Sequence, residues 1–141
     1  MRLRAMIAVV VLAGCATTRG APPVRAALNE EFRIPAGQTA EVEELRVRFI
    51  RVTEDSRCPI NARCIRAGAA KVEVELRARN AAAERVILST PDEPKGATYG
   101  PYDVEVLDLQ PGREIVPEGS AVPAPRFEVA LRVRRRERPG D

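Results

Sequence analysis

The residue pattern points to an all-β fold, a single antiparallel β-sandwich or open barrel of about six or seven short strands. Three observations carry that expectation. Apolar and polar residues alternate with period two over several stretches. Segments rich in Gly, Pro and Asn separate those stretches. No segment sustains the spacing of a long amphipathic helix. With 141 residues the chain holds one domain's worth of material.

The strands can be taken in order. Leu45, Val47 and Phe49 share one face, after which Ile50 and Val52 place apolar side chains on the other. That switch requires a bulge or a strand covered on both sides. Val72, Val74, Leu76 and Ala78 alternate with Glu73, Glu75, Arg77 and Arg79. Val86 to Leu88 and Tyr102 to Leu109 supply two more strands, and Phe127, Val129, Leu131 and Val133 alternate with Glu128, Ala130, Arg132 and Arg134. The breaks fall at Pro35-Ala36-Gly37, Asn80 to Ala83, Pro91 to Gly96, Pro111-Gly112 and Pro117 to Pro125. Ala81 to Glu84 has room for a single helical turn, and Glu118 to Pro125 is expected to be an extended, exposed excursion.

Composition narrows the chemistry. The chain is 45% hydrophobic and 30% charged, with three Phe, two Tyr and no Trp, so its core is expected to consist of Val, Leu, Ile and Ala. It has no His, which removes the usual neutral-pH general base and the commonest transition-metal ligand. No Gly-x-Ser-x-Gly or Ser-x-x-Lys spacing occurs. Glu54 and Asp55 are adjacent strand residues that point to opposite faces, a poor acid–base pair. Asp92-Glu93 lacks further oxygen ligands at a calcium-binding spacing. The reading is therefore of a chain that is not an enzyme and needs no cofactor or metal.

Residues 1–14 carry an address. Arg2 and Arg4 precede an apolar run from Ala5 to Gly14, the pattern of a bacterial export signal. The run is too short to span a membrane, which takes about 20 residues. Leu12-Ala13-Gly14-Cys15 resembles the lipobox of bacterial lipoproteins. The resemblance implies cleavage before Cys15 and lipidation of its thiol. At about 0.8 kcal/mol per buried methylene, two or three acyl chains would hold the protein on a membrane. Ala16, in place of Asp, implies the outer membrane, with the domain facing the periplasm. Loss of Arg2 and Arg4 brings the formal charge of +3 close to neutrality. The basic balance is then no argument for nucleic acid.

The expected domain organisation is a signal peptide over 1–14, the lipidated Cys15 with a flexible tether over 15–29, a β-sandwich over 30–135 and a frayed tail over 136–141. Pro22-Pro23 favours an extended tether, with a reach of about 45 Å. An edge strand or short helix from Val24 to Leu28 is the other reading of that segment.

Cys58 and Cys64 remain as an even pair, for which a disulfide is the default expectation in an exported protein. A redox pair is more typically spaced C-x-x-C, and zinc would need two further ligands. Such a closure is worth about 2–3 kcal/mol. Asp55-Ser56-Arg57-Cys58-Pro59, followed by Cys64 and Gly68 and then by Val72 to Leu76, resembles a group of uncharacterised small bacterial lipoproteins and exported proteins. The strand from Leu45 to Val52 and the later segment ending in Asp108-Leu109-Gln110-Pro111-Gly112 are similar to that group too, so the resemblance spans roughly residues 30–135. The group often carries Trp between the second Cys and the Gly, where this chain has Ile65-Arg66-Ala67.

Two readings of the loop stand side by side. In one it is a rigid corner in which Asp55 and Ser56 bond to local backbone and Arg57 pairs with Asp55, Glu54 or a carbonyl. In the other, Asp55, Arg57, Asn61, Arg63 and Arg66 form a recognition surface stiffened by the crosslink. Arg132, Arg134, Arg135, Arg136 and Arg138 form a second basic cluster, either a solvated strand face or a site for anionic lipid or wall polymer. The function these readings imply is a lipid-anchored binding or structural module of the cell envelope, with a membrane through Cys15 and an envelope protein or wall component as partners. An inhibitor of an envelope or secreted enzyme is the alternative, and an enzyme of unrecognised type the third reading.

Overall fold

Nine strands organise the residues that the computed structural model describes, 20–137, and none of those residues is helical. The expected signal segment, Cys15, Arg138 of the basic cluster and the rest of the expected tail from 138 to 141 lie outside the described residues. The strands are β1 (Val24–Ala26), β2 (Glu31–Pro35), β3 (Thr39–Val42), β4 (Leu45–Asp55), β5 (Ala70–Ala78), β6 (Glu84–Thr90), β7 (Gly96–Tyr99), β8 (Tyr102–Gln110) and β9 (Glu128–Arg135). They form a five-stranded sheet in the order β1-β3-β4-β5-β6 and a four-stranded sheet in the order β2-β9-β8-β7. Every pairing is antiparallel except β1 with β3.

Each sheet has one apolar face, and the two faces share one core. Val42, Leu45, Val47, Phe49, Val72, Val74, Leu76 and Leu88 from the first sheet are buried with Ile34, Val104, Leu109, Val129, Leu131 and Val133 from the second. The alternation read from β5 and β9 is the alternation of burial. On β4 the register against β5 shifts between Phe49 and Arg51 and again between Val52 and Glu54. Bulges there explain why Ile50 and Val52 break the alternation. A third shift, between Val106 and Asp108 on β8, lets Val106 and Leu109 both face the core.

The outer face of the first sheet is a ladder of charges set by register. Glu41 lies opposite Arg46, Glu73 opposite Arg51, Lys71 opposite Glu54 and Arg85 opposite Glu75, and all four form ion pairs at 2.7–3.2 Å. Each exposed pair contributes little energy, but a one-residue slip would separate all four pairs and turn the apolar side chains of the slipped strand to the solvent face.

The structure departs from the expectations in three places. β1, β2, β3 and β7 raise the strand count to nine; at three to five residues each they are too short for alternation to establish a period. Val24–Ala26, read from sequence first as tether and otherwise as an edge strand or short helix, is an edge strand paired with β3, while Leu28 packs against the core and the Asn29 amide donates to the Val133 carbonyl at 2.8 Å. The folded unit thus begins before residue 30. The segment from Ala81 forms no helical turn, because Asn80 adopts a left-handed φ of 61° and the Tyr99 hydroxyl donates to the Ala82 carbonyl, holding an irregular corner.

Strand direction gives the sandwich two distinct ends. β4 and β8 both run toward one end, where Asp55 and Gln110 lie, which we call the loop end. β9 runs the other way, so Arg134 to Arg136 lie at the opposite end. We expect Phe49→Ala to lower unfolding free energy by about 3–5 kcal/mol in urea titration, since it empties the centre of the core. Ile87→Ala, on the outer face and 51% exposed, should change it by less than ~0.5 kcal/mol.

Candidate functional site

At the loop end, β4 stops at Asp55 and the chain makes an excursion to Ala70, where β5 begins. The base of the excursion is closed by backbone: the Ser56 amide donates to the Ala69 carbonyl at 2.8 Å and the Cys58 amide to the Ala67 carbonyl at 2.7 Å. The Ser56 hydroxyl adds a bond to the Ala69 carbonyl and accepts one from the Ala69 amide. Cys58 and Cys64 form a disulfide with their Cα atoms 5.8 Å apart. Gly68 has a φ of +66°, and a Cβ there would fall 1.8 Å from the Ser56 carbonyl oxygen. Only glycine fits that close approach of two backbones.

Arg57 joins this loop to the second sheet. Its Nε and Nη2 donate to the two carboxylate oxygens of Asp55, each at 2.8 Å, in a bidentate pair. The same guanidinium donates to the carbonyl of Leu109 and, at 2.9 Å, to that of Pro111. Both side chains are 17% exposed. The guanidinium beside Asp55 holds its carboxyl below the usual carboxylate range, against the opposing effect of burial.

Further stitches follow along the same seam. The Ile60 amide donates to the Arg113 carbonyl at 2.8 Å, and the Asn61 side chain both donates to the Ile115 carbonyl and accepts from the Ile115 amide, at 2.9 Å each. Residues 109–115 thus run beside residues 57–61. Asp55, Arg57 and Asn61 are brought together here and are engaged with protein groups. Arg63 and Arg66 are exposed and make no ion pair among the described residues.

Leu109, Pro111, Arg113 and Ile115 are part of this site and sequence reasoning did not include them. Their contribution is through backbone carbonyls and amides, which leave no side-chain signature. The readable signals are the Asp108-Leu109-Gln110-Pro111-Gly112 segment already noted for its resemblance and Ile115-Val116, two large apolar residues inside a turn-rich, charged stretch.

The C-terminal basic cluster has a different character. Arg135 pairs with Glu43 and lies 5.8 Å from the Tyr102 ring centroid, Arg134 pairs with Glu105, and Arg136 lies 3.9 Å from Asp103. The Tyr102 hydroxyl donates to Glu43 at 3.1 Å. Arg134, Arg135 and Arg136 thus match acidic groups within the fold, whereas Arg132 has no ion pair among the described residues and its buried Nε has no hydrogen-bond partner.

No protein-family model, curated protein or solved structure matches the chain.

Two outcomes follow from this geometry. Because the folded-state pKa of Asp55 is depressed, its pair with Arg57 stabilises fully above the unfolded carboxylate range, near pH 4. That contribution disappears as pH falls through the lower folded value. The melting-temperature gap between wild type and Asp55→Asn should therefore be constant above about pH 5 and narrow below about pH 4. Gly68→Ala should cost at least ~2 kcal/mol in chemical denaturation, through backbone strain and the clash with Ser56.

Proposed function

We propose that the chain is a lipid-anchored module of the bacterial cell envelope whose working surface is the disulfide-closed loop end, acting by contact rather than catalysis. The observation that carries this reading is the Cys58–Cys64 disulfide itself. A disulfide persists in an oxidising compartment, and the export-type segment with its Leu-Ala-Gly-Cys tetrad supplies the route to one. The resemblance of the Asp-Ser-Arg-Cys-Pro stretch to small exported lipoproteins points the same way.

The geometry at the loop end supports a surface held in one shape. Binding surfaces gain when their groups are ordered before the partner arrives. Here the disulfide, the backbone ladder at the loop base, the Arg57 clip and the Asn61–Ile115 pair each remove freedom from the same stretch. What the stretch then presents outward is aliphatic and basic: Ile60, Ile65, Arg63 and Arg66.

The reading is checked by growing cells expressing the full chain on labelled palmitate. Label is expected on wild type and not on Cys15→Ser, with wild type in the membrane fraction. Alkylation without reductant should leave Cys58 and Cys64 unmodified, and alkylation after reduction should modify both. An unlabelled wild type in the cytosolic fraction would remove the reading.

A further inference from the structure

The loop end has a composition unlike the rest of the surface. Six large apolar residues are exposed among the described residues, and five of them, Ile60 (70%), Ile65 (104%), Ile115 (59%), Val116 (44%) and Val122 (57%), lie on the two connections that leave β4 and β8 at this end. The Asn61–Ile115 bonds hold the first connection against the second, so Ile60 and Ile115 belong to one patch. Between Ser56 and Ala69 the chain carries Arg57, Arg63 and Arg66 and no acid. Arg57 is committed to Asp55, and Arg63 and Arg66 flank the fully exposed Ile65. On the second connection Arg113 and Arg126 offset Glu114 and Glu118. Aliphatic side chains beside unpaired arginines are suited to a surface that is anionic outside and apolar a few ångströms below.

The direction of the chain supplies the second argument. β1 is parallel to β3, with Val24 opposite Ala40 and Ala40 opposite Val47, so the chain enters β1 from the loop end and runs away from it. Cys15 precedes Val24 by nine residues, which reach about 30 Å when extended. From the level of Val47 to Asp55, β4 rises about 25 Å. The two lengths match. A lipid on Cys15 is therefore within reach of the height of the disulfide loop, whereas the arginines of β9 lie at the far end of the domain.

Resting on the reading of Cys15 as lipidated, we propose that the loop end docks on the membrane that holds the acyl chains, with Ile65 and Ile60 entering the headgroup region and Arg63 and Arg66 meeting anionic phospholipid. The domain then stands end-on, with the charged outer faces of both sheets and the ion-paired arginines turned away from the bilayer. Acyl chains confer residence, and the loop sets orientation. Each arginine near an anionic surface contributes about a fivefold factor to the docking equilibrium.

The chain contains no Trp, so a single introduced indole reports its own position. The full, lipidated chain carrying Ile65→Trp, or Ala81→Trp at the opposite end, is reconstituted in vesicles of phosphatidylethanolamine and phosphatidylglycerol with brominated acyl chains. Position 65 is fully exposed, so the substitution leaves the core alone. We expect bromine quenching and a blue-shifted emission at position 65 and neither at position 81. Adding Arg63→Ala and Arg66→Ala should lower the docking equilibrium about 20-fold, and vesicles of neutral lipid or high salt should act in the same direction. Unquenched emission from the Ile65→Trp chain while it still floats with the vesicles overturns docking and leaves the anchor intact. If mass measurement finds no acyl group on Cys15, the anchor reading fails. The unacylated full chain with Ile65→Trp, added to the same vesicles, then decides docking separately, quenching of its indole supporting it and the lack of quenching overturning it. A photo-crosslinker at position 65 that joins a protein rather than lipid in intact cells also overturns it.

Discussion

One guanidinium ties the loop end together. A two-sheet sandwich closes well along its faces, where apolar side chains interlock, but its ends are open, and there the last carbonyls of a strand lose their ladder partners. At the end of β8 the carbonyls of Leu109 and Pro111 are in that position, and Arg57, from the connection that follows β4, donates to both. Asp55, the last residue of β4, neutralises the charge. A single planar group with donors on several sides thus joins the end of one sheet to the end of the other. Lysine, a point charge without a fork, would not reproduce that arrangement. The disulfide, the left-handed Gly68 and the Asn61 pair all refine a corner whose place is decided by this clip.

The way charges are distributed follows from the same matching of partners. On the outer face of the first sheet most charges face opposite charges across strands, Arg46 opposite Arg77 being an exception, and at the far end Glu43, Glu105 and Asp103 match Arg135, Arg134 and Arg136. Exposed pairs of this kind add little to stability. Their effect is on register and on what the surface presents: most of the domain shows water a balanced mixture of both signs. Arg63 and Arg66, lying beyond the strands, have no cross-strand neighbour to match, and so among the described residues the loop end combines unmatched basic charge with exposed aliphatic side chains.

Several features were legible in the residues before any tertiary contact was known. Period-two alternation in Val72 to Ala78 and Phe127 to Val133 marked strands that do bury one face, and the break at Ile50 marked the bulge of β4. Asp55, Ser56 and Arg57 were expected to bond locally, and they do. The short strands β3 and β7 were illegible because four residues cannot display a period, and β1 was legible only as the other reading of the tether, because it exists only where β3 offers an edge. The partners of Arg57 and Asn61 in residues 109–115 were illegible for a different reason, since main-chain carbonyls and amides occur at every position and carry no residue type.

The order of residues settles local matters: which positions alternate, where turns interrupt them, which cysteines are near enough to close a small loop and which charges the chain has available. These depend on spacing along the chain, and spacing is what a sequence records. Which strand lies beside which, which end of the sandwich receives the N-terminal segment, and which arginines find partners depend on contacts between residues tens of positions apart. Those are outcomes of folding in three dimensions, because burial of the two apolar faces against each other brings Arg57 to Pro111 and Arg135 to Glu43, and leaves Arg63 and Arg66 in water.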